Sequence, residues 1–333
     1  MTGQRRVRVI VVNYNGGDHL ARCVSALDAQ TMSDFEAVIA DNGSTDGSLS
    51  ELPALDGRLR VMEFGENLGF AAANNRAAKG ATTPWIATLN PDAFPEPDWL
   101  AKLMAAADRF PDVAMFGSTQ IDDGDPSRFD GTGDALWFAG IPWRGGHGRR
   151  VTDLPDYAET FSPCAAAALW RRDRFEAAGG FDERYFCYCE DIDLGFRFRL
   201  AGERCVQVAD AEVRHVGAGL SGRRSAFTLY HGARNRIWTM IKNMPLPLLI
   251  VAAPIHMAVT LVYPARLFLL KGGVSAGAAH YRGVGDAIFG LGPILAERQR
   301  VQTARRVAWK AVLGSLSWSP GLLLRRRADL RPI

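Results

Sequence analysis

Five acidic side chains stand in a stretch that is otherwise aromatic and apolar, residues 181–195, FDERYFCYCEDIDLG. Three of them, Glu190, Asp191 and Asp193, open a helical pattern that continues to a stop at Gly202. The positive end of a helix dipole favours ionised carboxylates in the first turn. An ionised carboxylate in a partly dry pocket can accept the proton of a sugar hydroxyl, so this segment is a candidate for a general base. Helix capping with a solvated face is the alternative interpretation.

The first hundred residues alternate between patterns of strands and helices. Apolar runs of strand length cover residues 7–12, 35–40, 60–64 and 85–89. Helical patterns cover residues 18–29 and 71–79. This alternation predicts an α/β fold with a doubly wound, mostly parallel sheet. Ligands of such sheets bind beyond the carboxyl ends of the strands, where four polar residues of this chain stand: Asn13, Asp41, Asn67 and Asp92.

Two loops at this edge of the sheet are suited to ligand binding. The loop 41–48, DNGSTDGS, is rich in turn residues, and its first residue, Asp41, ends an apolar strand where a carboxylate can bond a base or a ribose. A surface loop is the alternative interpretation. In the turn 90–93, NPDA, Pro91 stiffens the backbone and Asp92 offers an oxygen ligand to a hard divalent cation that bridges a diphosphate.

Six segments together resemble the inverting glycosyltransferase family 2, a GT-A fold, and especially its bacterial rhamnosyltransferase-like branch. The similarity covers roughly residues 7–240. It consists of VVNYN at 11–15, DNGSTDGS at 41–48, ENLGFAAANN at 66–75, LNPDA at 89–93, GGFDERYFCYCEDIDLGFRFRLAG at 179–202 and EVRHVGAGLSG at 212–222. The order and spacing of the six make the resemblance specific.

The resemblance implies a role for each matched residue. Asp191 is the expected catalytic base, with Glu190 beside it to orient or assist, and one base suffices for an inverting displacement. The expected ligands of a divalent cation, Mg²⁺ or Mn²⁺, are Asp92 and His215; Asn90 replaces the first acid of the family's D-x-D motif. The cation would stabilise charge on the departing nucleoside diphosphate. The expected donor-binding residues are Asn13, Asp41, Asn67, Gly69, Asn75, Asn90 and Arg234.

One acid of the segment has a structural interpretation instead. Asp193 is expected to contact Arg197, one helical turn later.

The charge is divided unevenly along the chain. Residues 1–220 hold 22 Lys/Arg and 33 Asp/Glu, a net charge of −11, and residues 221–333 hold 17 and 3, a net charge of +14. A basic segment binds nucleic acid or an anionic membrane surface. The uncharged stretch 243–265, together with arginine clusters near Trp309 and Trp318, favours the membrane and argues against nucleic acid.

These patterns predict two parts: a GT-A domain over residues 1–222 and a helical, membrane-associating region over residues 223–333. The stretch 243–265 contains four prolines, so we expect a kinked or re-entrant element in the interface rather than a spanning or a buried soluble helix.

The first apolar run is only of strand length, so no signal peptide is expected. Five cysteines without a C-x-x-C pair indicate reduced thiols. The expected location is the cytoplasmic face of the cell membrane.

The expected activity is transfer of a sugar, with rhamnose as a candidate, from a nucleotide-sugar donor to a lipid-linked or polysaccharide acceptor in cell-surface glycan synthesis. A UDP-hexose or UDP-N-acetylhexosamine donor is one alternative, and an inactive nucleotide-sugar binding protein is another. A NAD-dependent oxidoreductase is disfavoured, because the first strand leads into NYNGG and lacks G-x-G-x-x-G. The glycine-rich stretch 117–163 has weak periodicity and is expected to be an irregular region that shapes the acceptor groove.

Overall fold

A computed structural model describes residues 5–53, 57–217, 225–262, 268 and 273–333. The strands within these residues are β1 (Val7–Asn13), β2 (Phe35–Asp41), β3 (Leu59–Glu63), β4 (Trp85–Leu89), β5 (Ala93–Pro95), β6 (Met115–Asp122), β7 (Phe129–Gly131), β8 (Asp134–Trp137), β9 (Ile141–Arg144), β10 (Tyr157–Glu159), β11 (Ala167–Arg171) and β12 (Cys205–His215). Ten of them form one mixed sheet with the path β10-β12-β6-β11-β4-β1-β2-β3, to which β5 adds beside β12 and β7 beside β6. The strands β8 and β9 form a separate hairpin.

The helices follow the expected alternation and then continue to the end of the chain. They are α1 (Asp18–Asp28), α2 (Gly69–Ala78), α3 (Trp99–Arg109), α4 (Arg172–Ala177), α5 (Glu190–Leu200), α6 (Ala226–Asn243), α7 (Leu246–Val262), α8 (Gly273–Phe289), α9 (Leu291–Ala304), α10 (Trp309–Ser315) and α11 (Pro320–Leu324), with a 3₁₀ turn at Glu183–Tyr185 before α5.

The parallel half of the sheet is doubly wound, as predicted. The strand β1 lies between β2 and β4, and all three run parallel. Alternate residues of β1 pack on opposite faces: Val9 joins a cluster with α1 and α3, and Ile10 joins a cluster with α2 and α5. Because both faces are covered, the strand is apolar apart from Arg8 and the terminal Asn13. The register places Asn13 opposite Asp41, so the two strand ends meet at one edge.

The prediction that residues 117–163 are irregular is wrong. They contain most of β6 and all of the strands β7 to β10. Apart from β6, these strands are only three or four residues long and are joined by glycine-rich turns, which is too short for an alternating pattern to be recognised.

The C-terminal helices share buried clusters with the sheet domain. One cluster joins Phe196 of α5 to Met240 of α6 and Ala252 of α7. The tail is held by backbone bonds, as between Ser317 and Leu136. The predicted boundary between residues 222 and 223 falls outside the described residues. The described residues on its two sides pack against each other.

A buried ion-pair network reinforces the contact between α5 and α6. Lys242 is almost fully buried, and its Nζ lies 2.5 Å from Asp182 Oδ2 and 2.8 Å from Asp193 Oδ1. The predicted contact of Asp193 with Arg197 is present at 2.9 Å. A buried ion pair of this kind is strongly destabilising when one partner is lost. The network therefore couples α5 to the C-terminal part.

The uncharged stretch forms α7, a 17-residue helix with Pro254 inside it. Ala252, His256 and Thr260 are buried at a spacing of four residues, and the opposite side is apolar and exposed, with Ile250 66% and Val262 69% accessible. Among the described residues, the helices are all too short or too polar to cross a membrane. The segment is therefore a one-sided helix in this structure, and residues 263–265 fall outside the described part.

Candidate active site

The carboxylate of Asp191 is anchored at the start of α5. Its Oδ1 accepts a hydrogen bond from the Ile192 amide at 2.8 Å, and its Oδ2 accepts one from the Ala165 amide at 3.1 Å. Burial raises the pKa of Asp191, whereas these two bonds and the charge of Arg144 act in the opposite direction. The result is an oriented and partly desolvated carboxylate, which suits a general base.

Glu190 is buried beside it but is held differently. Its Oε2 has no hydrogen-bond partner within the described part of the chain, and burial together with the charge of Asp191 raises the pKa of Glu190 well above its ordinary value. The structure shows no hydrogen bond between these two side chains among the described residues. The predicted assisting role of Glu190 therefore stays a prediction.

The backbone before α5 is strained. Phe186 has φ 64° and ψ −64°, and the Cys187 amide donates to the Tyr185 carbonyl at 2.7 Å, which closes a γ-turn. Tyr188 and Cys189 also have positive φ, 72° and 65°. Positive φ at bulky residues is rare and persists only where surrounding contacts enforce it.

Asn235 of α6 supplies those contacts. Its Nδ2 lies 2.9, 2.8 and 2.7 Å from the carbonyl oxygens of Tyr185, Cys187 and Tyr188. Asn235 is fully buried, so no water competes for these bonds. Sequence reasoning did not single it out, and the weak helix propensity of an asparagine inside a helix is its single local signal. We infer that this amide holds the loop that presents Asp191.

A second group of side chains gathers around His215. Its Nε2 lies 3.3 Å from Asp92 Oδ1, and its Nδ1 lies 2.7 Å from Asp130 Oδ2. The amide of Asn90 is also close, with Nδ2 3.4 Å from Nε2. Burial lowers the pKa of His215, but the two carboxylates outweigh burial and raise it. The three predicted residues Asp92, Asn90 and His215 therefore lie together.

This arrangement fits a divalent cation. Ligand atoms at an octahedral edge are about 3 Å apart when the bonds are about 2.1 Å long, close to the distance between Asp92 Oδ1 and His215 Nε2. A metal-binding histidine usually donates its other ring N–H to a carboxylate, and Asp130 stands in that position. Sequence reasoning missed Asp130, because it lies in the stretch that was expected to be irregular.

Arg144 connects the two groups. Its Nη1 lies 2.5 Å from Asp130 Oδ2, and its charge also acts on Asp134 and Asp191. Glycine at position 131 leaves room for the Arg144 side chain, because an added Cβ there would lie 2.6 Å from Arg144 Cδ. Asp134 and Cys164 lie beside Asp191. One carboxylate oxygen of each aspartate and the Sγ of Cys164 all lie within 4.8 Å of one another.

The carboxyl ends of strands β1 and β2 form another part of this edge of the sheet. Asn13 Nδ2 donates to Asp41 Oδ1 at 2.9 Å and also approaches Ser44 Oγ and Ser48 Oγ. The second oxygen of Asp41 accepts bonds from the amides of Gly43 and Ser44. Asp41 therefore shapes the loop 41–48, and its expected bond to the donor stays a prediction.

Asn67 lies beside this loop. The side chain of Asn42, which the sequence interpretation left out, donates to Asn67 Oδ1 at 2.9 Å, and the Gly69 amide donates to the same oxygen at 3.0 Å. Gly69 has φ 82°, and an added Cβ would lie 2.6 Å from the Phe186 carbonyl oxygen. This glycine lets α2 approach the strained loop before α5.

Two further predicted donor-binding residues are engaged with the same segment. Asn75 donates to the Phe181 carbonyl at 2.8 Å and accepts from the Phe181 amide at 2.9 Å. Arg234 donates to the carbonyls of Arg184 and Tyr185 at 3.1 and 3.0 Å. Both brace residues 181–185 in this structure, and their contact with a donor stays a prediction.

Comparison with known proteins agrees with this geometry. The model of glycosyl transferase family 2 matches residues 8–177. The N-acetylglucosaminyl-diphospho-decaprenol L-rhamnosyltransferase of Mycobacterium tuberculosis is 34% identical over 241 residues, which cover 66% of this chain and 78% of the relative.

Solved structures show the same fold. The structure of GalNAc-T7 with UDP, GalNAc and Mn²⁺ matches with a TM-score of 0.58 at 16% identity. The match covers 72% of this chain and 48% of the GalNAc-T7 chain. The mannosyltransferase PcManGT from Pyrobaculum calidifontis, in complex with GDP-Man and Mn²⁺, has a TM-score of 0.53 at 19% identity and covers 94% and 86%. The chain therefore belongs to glycosyl transferase family 2 and is a glycosyltransferase with the GT-A fold, similar to the rhamnosyltransferases of that family.

Proposed function

We propose that the protein transfers a sugar, with inversion at the anomeric carbon, from a nucleotide-sugar donor to a lipid-linked acceptor. The observation that carries this is the run of contacts from Asp92 through His215, Asp130 and Arg144 toward Asp191. This run supports the proposal that a diphosphate-binding group and a base share one continuous edge. An inactive binding protein would have no need for an oriented, desolvated carboxylate at Asp191.

In the proposed reaction, Asp191 accepts the proton of the acceptor hydroxyl while the oxygen of that hydroxyl attacks the anomeric carbon of the donor. The bond from that carbon to the diphosphate oxygen breaks on the opposite face, and the nucleoside diphosphate leaves with the bonding electrons. The two amides that bond Asp191 keep its carboxylate fixed during this step. Fixed orientation of the base removes much of the entropic cost of reaction.

Asp92 and His215 would hold a divalent cation, Mg²⁺ or Mn²⁺, with Asn90 beside them. The cation would supply a positive charge for the departing diphosphate. Asp130 would keep His215 oriented with Nε2 toward the ligand. The Mn²⁺ in the two solved structures supports this assignment.

The donor sugar is proposed to be L-rhamnose, carried as dTDP-rhamnose, and the acceptor an N-acetylglucosaminyl diphosphate on a polyprenol. The M. tuberculosis relative, whose name contains both sugars, supports this choice. A UDP-hexose or UDP-N-acetylhexosamine donor is the alternative.

A lipid-linked acceptor calls for a place at the membrane, and the exposed face of α7 offers one. Leu246, Ile250, Val251 and Val262 are all more than half accessible, and residues 221–333 carry a net charge of +14. Apolar burial and attraction to anionic lipids would act together. We therefore place the protein at the cytoplasmic face of the cell membrane as a peripheral or monotopic protein.

The test is a donor panel with one acceptor. Purified full-length protein is incubated with N-acetylglucosaminyl diphosphate on a short prenol, Mn²⁺, and dTDP-rhamnose, a UDP-hexose or a UDP-N-acetylhexosamine. Transfer from dTDP-rhamnose, with an anomeric configuration in the product opposite to that of the donor, is expected. Transfer with retained configuration, or release of nucleoside diphosphate without any disaccharide, would contradict the proposal.

A further inference from the structure

Asp134 is a buried residue whose carboxylate makes no hydrogen bond with the described part of the chain. It begins β8, and its backbone pairs with Ser162, whose carbonyl accepts from the Asp134 amide at 2.8 Å. The side chain is different: the residue is 6% accessible, and the hydrogen bonds that Asp134 makes with the described residues all involve its backbone. Buried polar groups are nearly always bonded, since an unbonded one costs free energy. Its oxygens are not sealed off from solvent, so a ligand that enters the site can supply a hydrogen bond there.

The position of this carboxylate shows where the partner must lie. A carboxylate oxygen of Asp134 lies within 4.8 Å of one of Asp191, and both are within that distance of Cys164 Sγ. Asp191 takes two hydrogen bonds, both from backbone amides, so each of its oxygens keeps a lone pair for a further bond. Two oxygen acceptors thus border one small space at the base.

We propose that Asp134 is a specificity-determining residue that binds the acceptor hydroxyl next to the one that Asp191 deprotonates. This inference rests on the proposed function. Adjacent hydroxyl oxygens of a sugar ring are about as far apart as two hydrogen-bonded oxygens, about 2.8 Å. One such pair can span the space between the two carboxylates, with one hydroxyl bonded to each.

A cation is the competing occupant of this space, and two features disfavour it. Burial raises the pKa of the Cys164 thiol to about 12, and a thiol must lose its proton to bind a metal. The guanidinium of Arg144 already supplies a positive charge: Arg144 is the cross-strand partner of Asp134 in the β8–β9 hairpin. A neutral sugar hydroxyl fits this balance of charge better than a second cation does.

Arg144 also explains how the site keeps two carboxylates together. Burial raises the pKa of Asp134 well above its ordinary value, the charge of Asp191 acts in the same direction, and Arg144 opposes both. In its neutral form Asp134 can donate as well as accept, which widens the choice of hydroxyl orientation.

The experiment crosses protein variants with acceptor variants. Wild type, Asp134→Ala and Asp134→Asn are assayed with N-acetylglucosaminyl diphosphate on a short prenol and with analogues that lack each free hydroxyl in turn. In the wild type, one analogue loses all transfer because it lacks the reacting hydroxyl. A second analogue, lacking the adjacent hydroxyl, should lose about 10- to 100-fold in kcat/KM for the acceptor.

Asp134→Ala should show a similar loss with the full acceptor and no further loss with the second analogue, because the two changes remove the same contact. Asp134→Asn, which keeps a hydrogen-bonding oxygen, should lose less. Donor affinity, measured by calorimetry with dTDP, and the Mn²⁺ concentration for half-maximal activity should be unchanged in both variants.

Different failures point to different errors. If Asp134→Ala discriminates between the full acceptor and every analogue as strongly as the wild type does, the inference is wrong while the proposed function stands. A variant that binds one Mn²⁺ fewer than the wild type would overturn it in favour of the cation. Absence of transfer by the wild type to any acceptor would overturn the proposed function and this inference with it.

Discussion

The imidazole of His215 stands between two carboxylates, with Nε2 3.3 Å from Asp92 and Nδ1 2.7 Å from Asp130. This order assigns different tasks to the two acids. In the proposed site, Asp92 would bind the cation together with Nε2 of His215, and Asp130 would fix the orientation of the ring through its bond to Nδ1.

The replacement Asp130→Asn should weaken the apparent affinity for Mn²⁺ about 10- to 100-fold, because it removes the carboxylate that orients a metal-binding histidine. Transfer at saturating Mn²⁺ should largely recover. A Mn²⁺ titration of initial rates measures both quantities. Asp28→Asn, an aspartate at the end of α1 whose side chain is 63% exposed, is the control. An unchanged Mn²⁺ titration in Asp130→Asn would show that His215 does not bind the cation.

As the pH is lowered, the rate of transfer should begin to fall at a higher pH than it would if the base were an aspartate with an ordinary pKa. The base must be ionised, so activity is present above its pKa and is lost as the pH falls through it. Burial raises the pKa of Asp191 from its ordinary value of about 3.9, and Arg144 lowers it. Arg144→Gln should therefore move the acid limb of kcat/KM to higher pH.

The control for this prediction is Arg300→Gln, because the Arg300 side chain is 80% exposed and pairs with Glu297 on α9 rather than with a residue of the site. Its profile should coincide with that of the wild type. An acid limb that moves to lower pH in Arg144→Gln would contradict the assignment of Asp191 as the base.

The replacement Asn235→Asp should lower kcat about 10- to 100-fold while leaving donor affinity close to that of the wild type. The side chain keeps its size but loses the donor that bonds Tyr185, Cys187 and Tyr188, so the loop can relax and shift Asp191. Asn235→Leu, which adds no charge, should give a similar loss. Wild-type kcat in both variants, with unchanged melting temperature, would show that the loop holds Asp191 without this amide.

The double replacement of Ile250 and Val251 by glutamate should lower binding to anionic vesicles at least about tenfold, because two exposed apolar side chains would no longer be buried in lipid. Co-flotation with vesicles of phosphatidylglycerol and phosphatidylethanolamine measures the binding. The control is Val151→Glu, an exposed apolar residue of the catalytic part. High salt should weaken the wild-type binding only in part. Equal flotation of all three proteins would remove α7 from the membrane contact.

The edge of the sheet could be predicted from the sequence because its strands are long enough to show their pattern. Asn13, Asp41 and Asp92 follow apolar runs, and parallel strands bring their ends together. The contact of Asp193 with Arg197 is local to one helix and was likewise predictable.

The remaining site residues could not be found in this way. Asp130, Asp134 and Arg144 stand on strands of three or four residues, in which alternation has no room to appear. Asn235 acts on a loop about 50 residues earlier in the chain, and no periodicity records such a distance. The contacts between the two predicted parts could not be read from the sequence for a similar reason, since charge and apolar content describe surfaces rather than packing.

The central claim is that Asp191 is the base of an inverting sugar transfer. The most direct measurement compares wild type and Asp191→Asn for transfer of rhamnose from dTDP-rhamnose to N-acetylglucosaminyl diphosphate on a short prenol, with dTDP binding measured on the same preparations. Transfer by Asp191→Asn should fall about 10²- to 10⁴-fold while dTDP binds with nearly wild-type affinity, because only the proton acceptor has been removed. Transfer by Asp191→Asn at a rate near that of the wild type would contradict the account.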